Sequence, residues 1–271
     1  MKHDAMRAFF GLNRDPFGKD VDPSAIWQGA GRELAVDRLV EAMHRRQHAL
    51  VRGEPGVGKN CVTRAMRAHL PETAFRVVYI ANVTVGRRDF YRQLSTALGL
   101  QPRGTMAAVF EAIQREVRGS WSENRIHPVL IIDEAHLMPD ATLSHLHVLA
   151  NFDMDSRPLL SLVLVGLPEL HDRLRLGVHR SLLTRIPVLV DIPPIAPDGT
   201  ATYVRHRLQQ AGASRDLFAS DGMIALHELA AGVPRVLDVL AEAALVDAAS
   251  REETLITRAT VRRAWHATPY A

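Results

Sequence analysis

Cysteine is almost absent from this chain of 271 residues, occurring once, at Cys61. A single thiol excludes an internal disulfide and suits a reducing compartment. Its position directly after a glycine-rich turn reads as a small buried residue opening a helix rather than as a redox sensor. Lysine is scarce as well, standing only at positions 2, 19 and 59 among 33 basic residues. No stretch approaches the ~20 continuous apolar residues that a bilayer span requires. The first residues, Met1 to Arg7, are not followed by the apolar core of a secretion signal. These absences point to the cytoplasm and to no membrane partner. Metal-centre spacing is missing too: His145 and His147 stand two apart, so they diverge on a helix, and no cysteine set accompanies them. No nucleophile motif of a hydrolase triad appears, and no repeat, heptad array or low-complexity tract interrupts the chain.

What remains is a chain of 47% apolar composition, long enough for one large domain and a small one. Its formal charge of +3 and pI of about 9.3 permit a polyanionic partner without requiring one. The strongest signal is the run from His48 to Asn60. An apolar strand enters the turn Gly53-Glu54-Pro55-Gly56-Val57-Gly58, which ends in Lys59, Asn60 and Cys61. The glycines let backbone N–H groups turn inward toward a polyphosphate, and Lys59 supplies a point charge for its β and γ oxygens. Such a P-loop usually closes on Ser or Thr, whose hydroxyl binds Mg²⁺. Here Asn60 offers an amide oxygen, a hard ligand of different reach. ATP binding is therefore better supported than rapid hydrolysis.

Strand-like runs at His48 to Val51, Phe75 to Ala81, Pro128 to Ile132, Leu159 to Val165 and Val188 to Ile192 alternate with helical patterns. That alternation predicts an α/β fold with a five-stranded parallel sheet flanked by helices. After Pro193, Pro194 and Pro197 only helical periodicity follows, over roughly 200–211, 221–231, 234–249 and 257–265, predicting a small all-helical second domain. The run Val129-Leu-Ile-Ile delivers Asp133 and Glu134 to the carboxyl end of the sheet, where open α/β sheets bind ligands. With a P-loop upstream, Asp133 suits the Mg²⁺ shell and Glu134 suits orientation of an attacking water. Taken without the P-loop, the pair reads better as a strand end with a capping aspartate.

The P-loop, Asp133-Glu-Ala-His136, Leu164-Val-Gly-Leu-Pro-Glu-Leu170, Leu183-Thr-Arg-Ile186 and Gly232-Val-Pro-Arg235 together resemble the AAA+ ATPases. The opening Phe9-Phe-Gly-Leu-Asn-Arg-Asp-Pro-Phe17 resembles the ExeA-like group, related to the MuB and TnsC transposition helpers. The resemblance implies an N-terminal nucleotide-gating segment at 1–30, an α/β nucleotide-binding domain at 31–195 and a helical lid at 196–271. It implies Arg185, with Arg180 as the alternative, as the arginine that reaches a neighbouring subunit's ATP, and Arg235 as a sensor of the same nucleotide from the lid. It implies Phe17 and Tyr203 beside the adenine, although aromatic residues in such places are more often simply core. A polar sensor belongs near position 167, where Leu167 cannot donate a hydrogen bond.

The resemblance also implies Arg87, Arg88 and Arg103 as contacts to DNA phosphates, against the plainer alternative of solvated charges at helix ends. The implied function is ATP-dependent regulation of DNA transposition: a hexameric ring or helical filament on duplex DNA that recruits a transposase or integrase, with slow or partner-stimulated hydrolysis. An ExeA-type secretion ATPase is the alternative, weakened in this reading because the chain ends soon after its helical tail. A non-hydrolysing nucleotide-dependent scaffold is the third.

Overall fold

The computed structural model describes residues 2–19, 26, 27, 29 and 31–271. Positions 1, 20–25, 28 and 30 of the expected N-terminal segment lie outside the described residues. Five strands form one all-parallel sheet: β1 (Ala49–Arg52), β2 (Phe75–Ile80), β3 (His127–Ile132), β4 (Ser161–Gly166) and β5 (Val188–Asp191), in the order β2-β3-β4-β1-β5. The apolar runs predict each strand, with ends displaced by a residue or two. β3 and β4 are buried along their whole length, as continuous Val, Leu and Ile without polar alternation require when helices cover both faces. β2 at one edge alternates, leaving Tyr79 half exposed.

The chain divides into two compact units. One comprises Leu34–Pro55 and Val62–Ile192 and holds the sheet, with a core built from Leu50, Leu130, Ile132, Leu162 and Leu164 against Phe90, Tyr91, Ile113 and Phe152. Helices Arg87–Ala97 and Met106–Asn124 carry the crossover from β2 to β3. The other unit comprises Met1–Glu33, Gly56–Cys61 and Pro193–Ala271. Its core joins Met6, Phe10 and Phe17 to Leu208, Leu226, Leu240 and Leu245 of the tail helices Pro197–Gln210, Ser220–Ala230 and Pro234–Ser250.

Helix Lys59–His69 follows the phosphate loop and buries Val62, Thr63, Ala65 and Met66, a stripe at helical spacing. Cys61 falls off that stripe and is exposed, contrary to the burial that its small size suggested.

Two local features test the fold. Gly232 has φ +70°, and a Cβ there would lie 2.0 Å from the carbonyl oxygen of Ile195, whose N–H donates to the oxygen of Gly232 at 2.8 Å. Gly232→Ala should cost about 2–4 kcal/mol in urea unfolding. Gly177→Ala, in open space, should change stability by less than about 0.5 kcal/mol.

In the sheet unit, Nδ1 of His48 accepts the N–H of Leu162 at 3.0 Å, and burial, reinforced by the Arg185 charge, pulls its pKa down to about 4. The unfolded chain takes up this proton near pH 6.5 while the folded chain resists it. Stability is therefore complete above pH 6.5 and is lost as pH falls toward 4. His48→Asn keeps an acceptor and removes the titration. The unfolding free energy of that variant should fall less steeply between pH 6.5 and 4, by at most one proton, about 1.4 kcal/mol per pH unit.

Candidate nucleotide site

The phosphate loop leaves β1 at Arg52 and runs to the first turn of helix Lys59–His69. Gly56 (φ +82°) and Gly58 (φ +100°) are left-handed, which turns successive N–H groups toward one side of the loop. A Cβ on Gly56 would meet Cβ of Arg235 at 3.0 Å and Cγ1 of Val233 at 3.1 Å, so only glycine lets the tail approach this closely. The N–H of Arg235 donates to the carbonyl of Gly56 at 3.2 Å. Val57 is wholly buried and pins the loop, and the Lys59 side chain is also buried, whereas Glu54, Pro55 and Asn60 face solvent.

Arg32 is a site residue that sequence reading missed. It is 5% exposed and stacks on Trp27 at 5.4 Å, with Nη2 donating to the carbonyls of Val57 (2.9 Å) and Pro193 (3.4 Å). Its Nη1 is buried with no hydrogen-bond partner, and its Nε is 3.9 Å from where a Gly58 Cβ would stand. Burial lowers its pKa, the mark of a cation held away from water, and a nearby anion would relieve that cost. The sequence carries no periodic signal for it, because it precedes the loop by a whole helix and strand.

Phe17 and Tyr203, expected at the adenine, belong to the helical core. Tyr203 is 6% exposed; its hydroxyl donates to Asp238 Oδ1 at 2.7 Å, and its ring meets Trp27 edge-on at 5.3 Å. Phe17 is buried below the Arg207 guanidinium, which also donates to the carbonyls of Pro16 (3.0 Å) and Gly18 (2.7 Å).

In the sheet unit, β3 ends at the acid pair. Asp133 is 4% exposed; its N–H continues the ladder to the Ile80 carbonyl at 2.9 Å, and its Oδ1 accepts the N–H of Glu134 at 2.9 Å. Glu134 has φ +50°, a left-handed conformation that costs a non-glycine residue about 1–2 kcal/mol. The turn swings its half-exposed carboxylate off the strand axis, 3.5 Å from Nδ1 of His136. The same nitrogen lies 3.4 Å from the N–H of Leu167 at the end of β4. The imidazole beside the acid pair is thereby tied to the end of β4 as an acceptor, another feature that sequence order concealed.

The candidate arginines differ in their surroundings. Arg185 is held by Asp155 (2.7 Å) and by the carbonyl of Ser181 (2.7 Å), while Arg180 is exposed and forms no ion pair among the described residues. Arg87 and Arg88 open helix Arg87–Ala97 and are exposed; Arg103 lies beyond its other end, beside Gln101. Nine further residues of helix, about 14 Å, follow Arg88 before the loop that holds Arg103, so the three do not form one cluster.

The donors present fit Mg²⁺ and a nucleoside triphosphate. No group of three or more His, Cys, Asp or Glu side chains among the described residues could hold a metal by itself. A hard cation that keeps waters and shares its shell with phosphates needs only one or two oxygen donors, and the sheet unit offers the Asp133 carboxylate.

Residues 42–174 match the AAA domain family. General secretion pathway protein A of Aeromonas hydrophila is 29% identical over 246 residues, 90% of this chain and 45% of that protein, so the chain spans about half of that relative. Among solved structures, Cdc6p from Pyrobaculum aerophilum superposes with a TM-score of 0.69 at 18% identity, covering 90% of this chain and 70% of that one. Drosophila ORC bound to DNA gives 0.68 at 18% identity, covering 96% and 65%. The RuvB branch migration motor of Thermotoga maritima gives 0.60 at 17% identity, covering 94% and 73%. The five-stranded sheet with its flanking helices therefore has the fold of these structures, and the match to the AAA domain family takes in four of its five strands.

Proposed function

We propose that this chain binds and slowly hydrolyses ATP, and that nucleotide occupancy governs its assembly. The observation that carries this reading is the bond from the Arg235 N–H to the carbonyl of Gly56, which ties the phosphate loop to the first turn of helix Pro234–Ser250. A polyphosphate gathered by the loop N–H groups and Lys59 bears on that bond, so occupancy passes to the helical bundle. Bound Mg²⁺ and ATP supply the electrophilic phosphorus. Asp133 and Asn60 offer oxygen donors to the metal shell, Arg32 and Arg235 add positive charge beside the loop, and Glu134 aligns a water and accepts its proton. An amide at position 60 and an apolar side chain at 167 support slow turnover.

As its setting we propose duplex DNA: a ring or filament that recruits a transposase or integrase and thereby regulates transposition. Arg87 and Arg88 support this reading. Cations are unfavourable at a helix N-terminus, so the pair gains from an anion such as a DNA phosphate rather than from its own helix. The fold shared with Drosophila ORC bound to DNA supports it as well. For the group that reaches a neighbouring subunit we propose Arg180, which is exposed and forms no ion pair among the described residues, with Arg185 as the alternative. A second reading, a secretion-pathway ATPase, is favoured by the match to General secretion pathway protein A over 90% of this chain. No helix among the described residues is long and apolar enough to cross a membrane.

Glu134→Gln should reduce phosphate release about 100-fold or more while retaining ATP binding. Arg32→Gln should weaken ATP binding about tenfold or more. Asn60→Thr should raise turnover; an unchanged rate would remove Asn60 from the account of slow hydrolysis. A chain that binds ATP but releases no phosphate, alone or with duplex DNA, is the non-hydrolysing scaffold. ATP-dependent sedimentation with duplex DNA at moderate salt decides for the DNA setting, and ATP-dependent recovery with inner-membrane vesicles decides for secretion.

A further inference from the structure

Tyr79 stands on the edge strand β2, in register with Ile131 of β3. Side chains alternate along a strand, so Tyr79, Ile131 and Asp133 share one face, and Asp133 lies two residues, about 6.6 Å, beyond the Tyr79 pair. That distance matches the reach of a tyrosine side chain laid along the neighbouring strand. The hydroxyl donates to Asp133 Oδ2 at 2.7 Å, while Oδ1 accepts the N–H of Glu134 at 2.9 Å. The carboxylate therefore has at least one donor on each oxygen, which fixes its plane.

The surroundings of the ring set this bond apart from ordinary packing. Tyr79 is 50% exposed at a sheet edge, where water could satisfy its hydroxyl, yet the hydroxyl is committed to a carboxylate that is itself 4% exposed. A neutral donor on an ionised acceptor makes a short, strong, directional bond. Metal-binding carboxylates depend on such outer partners, whose removal typically costs 10–100-fold in metal affinity or activity.

We propose that Tyr79 is the positioning residue for the metal-binding carboxylate of Asp133, and that its hydroxyl sets how tightly Mg²⁺ is held with the nucleotide. The inference rests on the ATP reading above. It assigns Tyr79 no contact with the nucleotide or the metal. Its effect therefore appears in metal dependence and is absent from metal-free binding.

The test uses the full chain and a fluorescent ATP analogue, titrated first in EDTA and then with Mg²⁺ at fixed nucleotide. In Tyr79→Phe the affinity in EDTA should stay within about twofold of wild type, while the Mg²⁺ midpoint should rise about tenfold. Tyr79→Met, which keeps bulk and lacks the donor, should behave the same way. An unshifted midpoint in Tyr79→Phe overturns the proposal, as does a midpoint shifted only in Tyr79→Met, which would make ring packing the cause. An equal loss of affinity with and without metal also overturns it, because general damage to the site would explain both. A wild-type chain that binds no nucleotide sinks the ATP reading instead, whereas one that binds with no metal dependence sinks this inference alone.

Discussion

The close approach of backbone at Gly56 is the constraint on which the rest of the nucleotide-binding arrangement depends. A loop that aims N–H groups at phosphates needs left-handed residues, and Gly56 and Gly58 supply them at no steric cost. The same missing side chain lets Val233 and Arg235 come within contact distance of the loop, so one residue serves the left-handed turn and the close packing of the tail together. Gly232 repeats the device a few residues earlier, where the carbonyl of Ile195 leaves no room for a Cβ. Loop and tail are thus joined by a backbone hydrogen bond, which does not depend on rotamers.

The acid pair follows a different principle. Its two carboxylates sit side by side in sequence, and the structure gives them separate environments. Asp133 is buried, with a hydrogen bond on each oxygen; Glu134 is half exposed on a strained turn, beside an imidazole. A metal-shell ligand benefits from a fixed plane, and a group that handles water benefits from access to it. The left-handed turn at Glu134 achieves the separation, and the hydrogen bond from its N–H to Asp133 Oδ1 recovers part of the strain.

The sheet was legible in the sequence because β3 and β4 are unbroken apolar runs that helices must cover, and the phosphate loop was legible because glycine spacing is local. The tail helices were legible from periodicity after the prolines. Arg32, Tyr79 and His136 were not legible as parts of the site, for a shared reason. Each acts across strand register or fold topology on a residue that local pattern does not connect to it. Tyr79 reads as one more β-favouring aromatic until the pairing with Ile131 puts its hydroxyl on Asp133. Cys61 misled in the opposite direction, because a small residue beside a buried loop suggests burial until the stripe at Val62 and Met66 shows which way the helix faces.

The two arginines near β5 extend the same logic to assembly. The loop that holds Arg185 contains three successive left-handed non-glycine residues, Asp153, Met154 and Asp155, each costing about 1–2 kcal/mol. Ion pairs from Arg118 and Arg157 to Asp153, and the bond from the Asp155 N–H to Asn151, offset that strain and present Asp155 to Arg185. A guanidinium held this way is expensive to withdraw, since leaving would strand Asp155 at the end of a strained loop. Arg180, one helical turn earlier, leaves no such debt. The bonds from Arg185 to Asp155 and to the Ser181 carbonyl thus serve the maintenance of the loop beside it, whereas Arg180 forms no ion pair among the described residues.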